Sequence, residues 1–256
     1  MKKWMSFSLA GGLLAAVLAP ALVLAPRPAC AQETMDHSHL HHEEPPAPKP
    51  RKSPEELAAD KRFSEFNHRF AGVFVLLVGV LALLEPRLAA RYRWVRYLWS
   101  VLFFAPGLYL FFWSDPESWP LGNQTLVYVI TQNVQVLQHK VFSLILLGLG
   151  VVEFIRVRWK PHSLGLACVF PALAGAGALL LLFHPHASDV GMAMDAEAHR
   201  AMIHIERQHL GFAAAGFGIA VSKAVSDVGR FYPRLMRILF AVCMTSLGML
   251  LLGYNE

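Results

Sequence analysis

The chain has 256 residues, of which 55% are hydrophobic and only 16% are charged, and its formal net charge is +5. This composition is typical of a small integral membrane protein and argues against an ordinary soluble enzyme. A positive chain could also bind nucleic acid, but the basic residues lie in short loops between apolar segments, which excludes nucleic acid as a partner.

Residues 1–31 are predicted to be a signal peptide. Two lysines near the start precede an apolar run over residues 9–25, and the sequence A-C-A at residues 29–31 fits a small-residue cleavage site. The mature chain is therefore expected to begin at Gln32. A lipoprotein site at Cys30 and an uncleaved first helix are the alternatives.

Residues 32–62 are predicted to be a disordered periplasmic tail, because prolines and charges dominate and no apolar period is present. Its sequence DHSHLHH could collect metal ions loosely. A short helix that leads into the first span is expected to begin near the end of this tail. Ser53 suits the cap, Pro54 suits the first helical position, and Glu56 would complete a capping box.

Residues 63–256 are predicted to form a transmembrane domain of six helices. An apolar helix of ~20 residues can cross the hydrocarbon core of a bilayer. Six such stretches occur, at about residues 67–84, 95–113, 136–155, 164–183, 207–225 and 235–253.

The distribution of basic residues predicts the orientation of these six spans. Arginine and lysine are concentrated in the loops that contain Arg91, Arg158 and Arg230, whereas the other two loops contain acidic residues. Because loops rich in arginine and lysine remain in the cytoplasm, we expect a multi-pass protein of the bacterial inner membrane. Both ends of the mature chain are then periplasmic.

A histidine recurs at the start of every second apolar stretch. His68, His139 and His209 are separated by 71 and 70 residues, and an asparagine or glutamine precedes each of them. Polar residues also recur 47 positions after each histidine, at Asp115, His186 and Glu256. The spacing predicts three repeated helical hairpins in an all-α membrane bundle.

Histidine and methionine residues are concentrated on the predicted outer side. Ionisable side chains at membrane depth usually have a partner or a function. Imidazole binds copper or zinc, and the soft thioether of methionine selects Cu(I), so the combination predicts copper as the cofactor. The predicted metal ligands are His68, His139, His184, His186, His199, Met202, His204, Glu206 and His209.

Two arrangements of these ligands are expected. Residues 195–209 are predicted to form a helix continuous with the fifth stretch. Four ligands then share one face of that helix: His199, Met202, Glu206 and His209. Equivalent points of three packed hairpins should lie at similar depth, so His68, His139 and His209 are expected to line one site. His184 or His186 would reach into that site, and the amides before the three histidines would orient neighbouring groups.

The sequences NHR at residues 67–69, QHK at residues 138–140 and HPH at residues 184–186 carry a family resemblance. With its outer histidines and His-Met loops, the chain over residues 63–256 resembles copper-resistance membrane proteins of the CopD type. That family typically has eight spans, whereas six are predicted here. The resemblance implies copper handling at or across the inner membrane without a nucleotide-driven motor. The sequence also contains no phosphate-binding loop of the G-x-x-x-x-G-K type.

Two other functions fit the same residues. A b-type haem could be held by two histidines from different helices, or the chain could be a non-catalytic assembly subunit of a membrane metalloenzyme complex. Enzymatic turnover is not expected, because residues 206–209 form one E-x-x-H sequence where di-iron bundles need two. The expected partners are membrane lipid, a metal ion, and a periplasmic copper carrier or membrane complex.

Overall fold

The computed structural model describes residues 53–159, 163–183, 196–229 and 231–256. The predicted signal peptide, residues 32–52 of the predicted tail, and the predicted ligands His184 and His186 lie outside these ranges. The described residues are mainly helical and contain no β-strand, which confirms the all-α prediction. The α-helices are α1 (Pro54–Arg91), α2 (Leu98–Trp113), α3 (Leu126–Gln132), α4 (Val134–Trp159), α5 (Leu164–Leu182), α6 (Ala196–Ala224) and α7 (Pro233–Leu252). A 3-10 helix (Arg93–Tyr97) leads into α2, and a π-helical turn (Val225–Gly229) follows α6.

Helix α1 begins as the sequence predicts. The Ser53 hydroxyl accepts a hydrogen bond from the Glu56 N–H at 3.2 Å, and the Ser53 N–H donates to the Glu56 carboxylate at 2.6 Å. Pro54 occupies the first turn, where its missing N–H costs no helical bond. The helix then continues without interruption for 38 residues. Residues 54–62 are therefore the first turns of the same helix that contains the first predicted span.

Four helices are long and apolar enough to cross a membrane: Pro54–Arg91, Arg93–Trp113, Leu164–Leu182 and Pro233–Leu252. The chain therefore fits a multi-pass membrane protein. Six spans were predicted, and the remaining two would be α4 and α6. Both are long, but both carry polar side chains that are buried inside the bundle, including Gln138, Lys140 and Glu153 in α4 and His209 in α6. Burial among neighbouring helices explains how these two helices can be less apolar than the other four.

The six long helices form a closed ring in chain order, in which α7 packs against α1. The most extensive contacts join α1 to α7, α2 to α4, and α5 to α6. Each of these pairs joins one predicted hairpin to the next. The contacts between the two helices of a single hairpin are smaller in all three cases.

Small residues recur at one register of these helix pairs. They follow the hairpin's histidine by 39 positions: Gly107, Ala178 and Gly248. A Cβ at Gly107 would lie 3.0 Å from the side chain of Leu147, and a Cβ at Gly248 would lie 2.5 Å from the backbone nitrogen of Leu76. A Cβ at Gly216 would lie 2.9 Å from the Cβ of Ala178. Small residues allow helix backbones to approach closely, and their recurrence is the packing that a repeated hairpin predicts.

The two ends of the ring differ in chemistry. We call the end that contains His68, His139 and His209 the histidine end. The opposite end, which contains Arg96, Arg156 and Arg237, is called the arginine end. Helices α2, α5 and α7 finish at the histidine end, as the hydrogen bonds described below establish.

Candidate metal site at the histidine end

His68 of α1 and His209 of α6 lie next to each other at the histidine end. Their ring centroids are 6.1 Å apart, and the two ring planes are perpendicular at 89°. His209 is only 5% exposed. An ion bonded head-on to two imidazoles at ~2 Å from each nitrogen would hold the ring centroids roughly 6 Å apart. The separation of this pair therefore fits a shared metal ion.

Hydrogen bonds fix the tautomer of both imidazoles. His68 Nδ1 lies 2.9 Å from the carbonyl oxygen of Ser64, and His209 Nδ1 lies 2.9 Å from the carbonyl oxygen of Ile205. A carbonyl oxygen only accepts, so Nδ1 carries a proton in each ring, and in the neutral form of the ring the lone pair is on Nε2. Metal-bound histidines commonly donate their other ring N–H to a backbone carbonyl in this way.

Two buried aromatic residues hold the histidine pair in place. Tyr254 stacks on the His68 ring at 3.8 Å, and its ring lies 6.0 Å from that of His209. The Phe212 ring lies 5.4 Å from His209 and 6.4 Å from His68. Both Tyr254 and Phe212 are only 1% exposed. Aromatic rings thus pack against both imidazoles, of which His209 is buried and His68 is partly buried.

Tyr254 and Glu256 also hydrogen-bond residues of α1 beside His68. The Tyr254 hydroxyl donates to the Glu256 carboxylate at 2.8 Å, and the same carboxylate accepts a hydrogen bond from Ser64. Arg69 donates to the Tyr254 carbonyl at 3.2 Å. Burial, together with the neighbouring Glu256 charge, raises the pKa of Tyr254 above its ordinary value. The phenol therefore stays neutral beside His68.

His139 of α4 forms a separate pair with Asp115, which follows α2. Its Nδ1 lies 3.1 Å and 3.3 Å from the two Asp115 carboxylate oxygens. Burial alone would raise the pKa of Asp115. However, the hydrogen bond and charge of His139, the Ser114 hydroxyl and the charge of Lys140 outweigh burial and lower the pKa below its ordinary value. The Asp115 side chain is therefore a carboxylate that orients His139.

Of the three histidines predicted to share a site, two lie next to each other and the third has a different partner. His68 and His209 contact each other, whereas His139 pairs with Asp115. Across the described ranges, no three side chains of His, Cys, Asp or Glu converge on one metal position. A third ligand from residues 184–195 falls outside those ranges, so the larger site stays a prediction.

The amide before each histidine has the same role in all three hairpins. Asn67 donates to the Ser114 carbonyl at 3.4 Å, Gln138 to the Phe183 carbonyl at 2.9 Å, and Gln208 to the Asn255 carbonyl at 2.7 Å. Each acceptor lies at or just beyond the end of the second helix of the same hairpin, where carbonyls lack an intrahelical partner. The amides therefore connect the two helices of each hairpin beside the histidine, and their orienting role around a metal site stays a prediction.

The remaining predicted ligands lie along the first turns of α6. This helix begins at Ala196, as the sequence predicts. His199 and Glu206 are exposed, and Met202 is half-buried. His204 Nε2 lies 2.7 Å from the Asn255 side-chain oxygen, so that nitrogen already has a protein partner.

Sequence reasoning missed a cluster of charged residues at the arginine end. Asp227 bonds Arg156 at 2.5 Å and Lys223 at 3.2 Å, and Lys223 also lies 3.7 Å from Glu153. Burial raises the pKa of Asp227, but the charges of Lys223 and Arg156 outweigh it and hold the pKa below its ordinary value. A signal was available, because Glu153 and Lys223 both follow their hairpin's histidine by 14 positions.

Comparison of the chain with protein-family models, with curated proteins and with solved structures found no match in any of the three. The fold and the site alone therefore define the class. The chain's described residues are mainly helical and fit a multi-pass membrane protein, with a histidine pair at one end and a charged cluster at the other.

Proposed function

We propose that this protein handles copper at the outer face of a bacterial inner membrane, with His68 and His209 as the central ligands. One observation carries the proposal. Two imidazoles from different helices, His209 buried and His68 partly buried, have ring centroids 6.1 Å apart, and each donates its Nδ1 proton to a backbone carbonyl. The centroid separation and the Nδ1 hydrogen bonds are compatible with a metal ion shared through the two Nε2 atoms.

The surroundings of the pair favour copper in its monovalent state. A buried charge is costly unless it is compensated, and the cost is smaller for Cu(I) than for a divalent ion. The aromatic rings of Tyr254 and Phe212 contribute no negative charge. The methionines between α5 and α6 would add the soft thioether ligands that select Cu(I). Bound copper would supply a site for storage, delivery or transfer to a periplasmic carrier or membrane complex.

A b-type haem is less compatible with this geometry. The porphyrin plane would have to pass between the two imidazoles and extend well beyond them. Tyr254 and Phe212 pack beside both rings and are themselves buried, and this crowding beside the pair favours an ion over a porphyrin. An assembly subunit would use these histidines only for hydrogen bonding. The visible spectrum distinguishes the cases, because haem gives a Soret band.

The proposal includes six membrane crossings, with the histidine end outside. Helices α4 and α6 bury their polar side chains within the ring, as expected for spans whose charged groups face the bundle interior. The basic loops that contain Arg91, Arg158 and Arg230 would then lie in the cytoplasm.

Cu(I) titration of the detergent-purified protein against a competing chromophoric chelator tests the proposal. We expect one tightly bound Cu(I) in the natural protein, and at least roughly a hundredfold weaker binding in His68→Ala and in His209→Ala, about 2.7 kcal/mol. His162→Ala, in a predicted inner loop, is the matched control and should bind normally. His139→Ala tests the larger predicted site. Normal Cu(I) affinity in both His68→Ala and His209→Ala would refute copper binding by the pair.

A further inference from the structure

The arginine end contains a cavity of about 450 Å³ that the proposed copper site does not use. It opens between α1, α2, α4, α6 and α7. Four of its lining residues are Glu153, Arg156, Lys223 and Asp227, which form the charged cluster described above. Three further charged residues also line it: Glu85, Arg96 and Arg237.

The cluster of four is electrically balanced. Its two carboxylates are shared between two cations, with N–O separations from 2.5 Å to 3.7 Å. The Lys223 ammonium also lies 5.1 Å from the Phe170 ring centroid and 5.4 Å from that of Phe240, which adds cation–π attraction. A metal cation would therefore meet carboxylates that already have partners. These four residues form a neutral, polar floor for the cavity.

Arg96 and Arg237 leave the cavity with a positive rim. They come from the 3-10 helix and from α7, and neither forms an ion pair with an acidic residue in the described part of the chain. Glu85 contributes one negative charge to the same cavity, so the three residues together have a net charge of +1. Guanidinium groups present paired N–H donors that match the oxygens of a phosphate group.

We propose that this cavity binds a phosphate group between Arg96 and Arg237. The group is either the headgroup of an acidic phospholipid or a free phosphate ion, since both present the same oxygens. Basic pockets between membrane helices on the cytoplasmic side are suited to anionic lipid headgroups. Because the charged cluster has no net charge, Arg96 and Arg237 are the groups that attract the phosphate, and Glu85 is the group that repels it. This site is independent of copper binding at the opposite end.

Native mass spectrometry of the full chain in detergent tests the proposal, with phosphatidylglycerol as the probe and phosphatidylcholine as the neutral comparison. The double variant Arg96→Gln/Arg237→Gln should bind phosphatidylglycerol at least roughly tenfold more weakly, about 1.4 kcal/mol. Arg93→Gln/Arg234→Gln is the matched control. It removes two charges three positions away on the same elements, from residues that do not line the cavity. Its loss should be less than roughly twofold.

Glu85→Gln is expected to change phosphatidylglycerol binding in the opposite direction. Removing the repulsive carboxylate should strengthen phosphatidylglycerol binding by roughly two- to fivefold. Inorganic phosphate separates the two sources. If it displaces the lipid at millimolar concentration, the site takes the free ion; if the lipid remains bound, the site takes the headgroup. Three outcomes would overturn the proposal. The first is an equal loss of phosphatidylglycerol binding in the two double variants, and the second is weaker binding in Glu85→Gln. The third is that neither phosphatidylglycerol nor inorganic phosphate binds.

Discussion

At the scale of single residues, the acceptor that each repeated histidine contacts sets its chemistry. His68 and His209 donate to backbone carbonyls, which add no charge. His139 instead pairs with the carboxylate of Asp115, which orients its imidazole. The three positions match in sequence, yet only the first two meet as a pair. The identity of a side chain therefore did not predict its role, because the partner comes from another hairpin.

Asp115→Asn should show the contribution of that carboxylate. The substitution removes a charge-assisted interaction with His139, so we expect a loss of about 1–2 kcal/mol of stability at pH 7. Because the pKa of Asp115 is lowered in the folded protein, its stabilisation is complete above the ordinary value of 3.8 and is lost as the pH falls through the lower folded value. The melting temperatures of variant and natural protein should therefore converge at acidic pH. Glu117→Gln, an exposed change in the same loop, should have little effect at any pH. A gap that persists after Asp115 is protonated would contradict this account.

Tyr254 offers a second test at this scale, and this test rests on the copper proposal. Tyr254→Phe keeps the ring that stacks on His68, so Cu(I) affinity should change less than roughly threefold, although stability should fall by about 1 kcal/mol because the bond to Glu256 is lost. Tyr254→Ala removes the stack and admits water beside the imidazole. Its Cu(I) affinity should fall at least roughly tenfold, about 1.4 kcal/mol. The chelator titration measures both variants, and similar affinities in the two would show that the ring does not position His68.

At the scale of elements, the sequences NHR in α1 and QHK in α4 each connect their helix to two neighbouring helices. In α4, Gln138 donates to the Phe183 carbonyl at the end of α5, and Lys140 donates to the Phe111 carbonyl near the end of α2 at 2.7 Å. In α1, the Asn67 side chain reaches Ser114, and Arg69 reaches the Tyr254 carbonyl. The sequences NHR and QHK marked these positions as candidate functional residues. They could not identify the acceptors, which are backbone carbonyls and carry no sequence signal.

Gln138→Leu should test one of these connections. The substitution keeps a side chain of similar size at the buried position of Gln138 but removes the hydrogen bond to the Phe183 carbonyl, which should cost about 1 kcal/mol. Gln135→Leu lies one turn earlier on an exposed position of the same helix and serves as the control. Thermal unfolding in detergent compares the two. Equal stability of the two variants would mean that the bond between α4 and the end of α5 contributes little.

Gly248 tests the packing of α7 against α1. In Gly248→Ala the new methyl group would lie 2.5 Å from the Leu76 backbone nitrogen, and backbone cannot move aside cheaply. We expect destabilisation of about 1–3 kcal/mol. Gly165→Ala is the matched change, since a Cβ there meets nothing within 4 Å. It should be neutral, or stabilising by up to about 1 kcal/mol through higher helix propensity. Melting temperatures that shift in the same direction would argue against the close approach of α1 and α7.

At the scale of the whole molecule, the sequence predicted helices better than it predicted their contacts. Apolar stretches located all six long helices, and the Ser53 capping box located the start of α1, because these signals are local. The closure of the ring by α7 against α1 joins the two ends of the described chain, which no local pattern encodes. The pairing of Glu153 with Lys223 was missed for the same reason. Each residue alone resembles an ordinary charge at a helix end, and only the fold brings them together.

The number of crossings is the property of the whole molecule that most affects the copper proposal. If six helices cross, residues 93 and 158 are cytoplasmic and residue 190 is periplasmic, as the basic loops predict. If only the four most apolar helices cross, residue 93 stays cytoplasmic but residues 158 and 190 exchange sides. Single cysteines at Arg93, Arg158 and Val190, in a chain whose natural cysteines are replaced, distinguish these arrangements by labelling intact cells with an impermeant maleimide. We expect labelling of Val190→Cys alone. Labelling of Arg158→Cys instead would establish four crossings, and labelling of Arg93→Cys would place the histidine pair in the cytoplasm and remove the outer copper site.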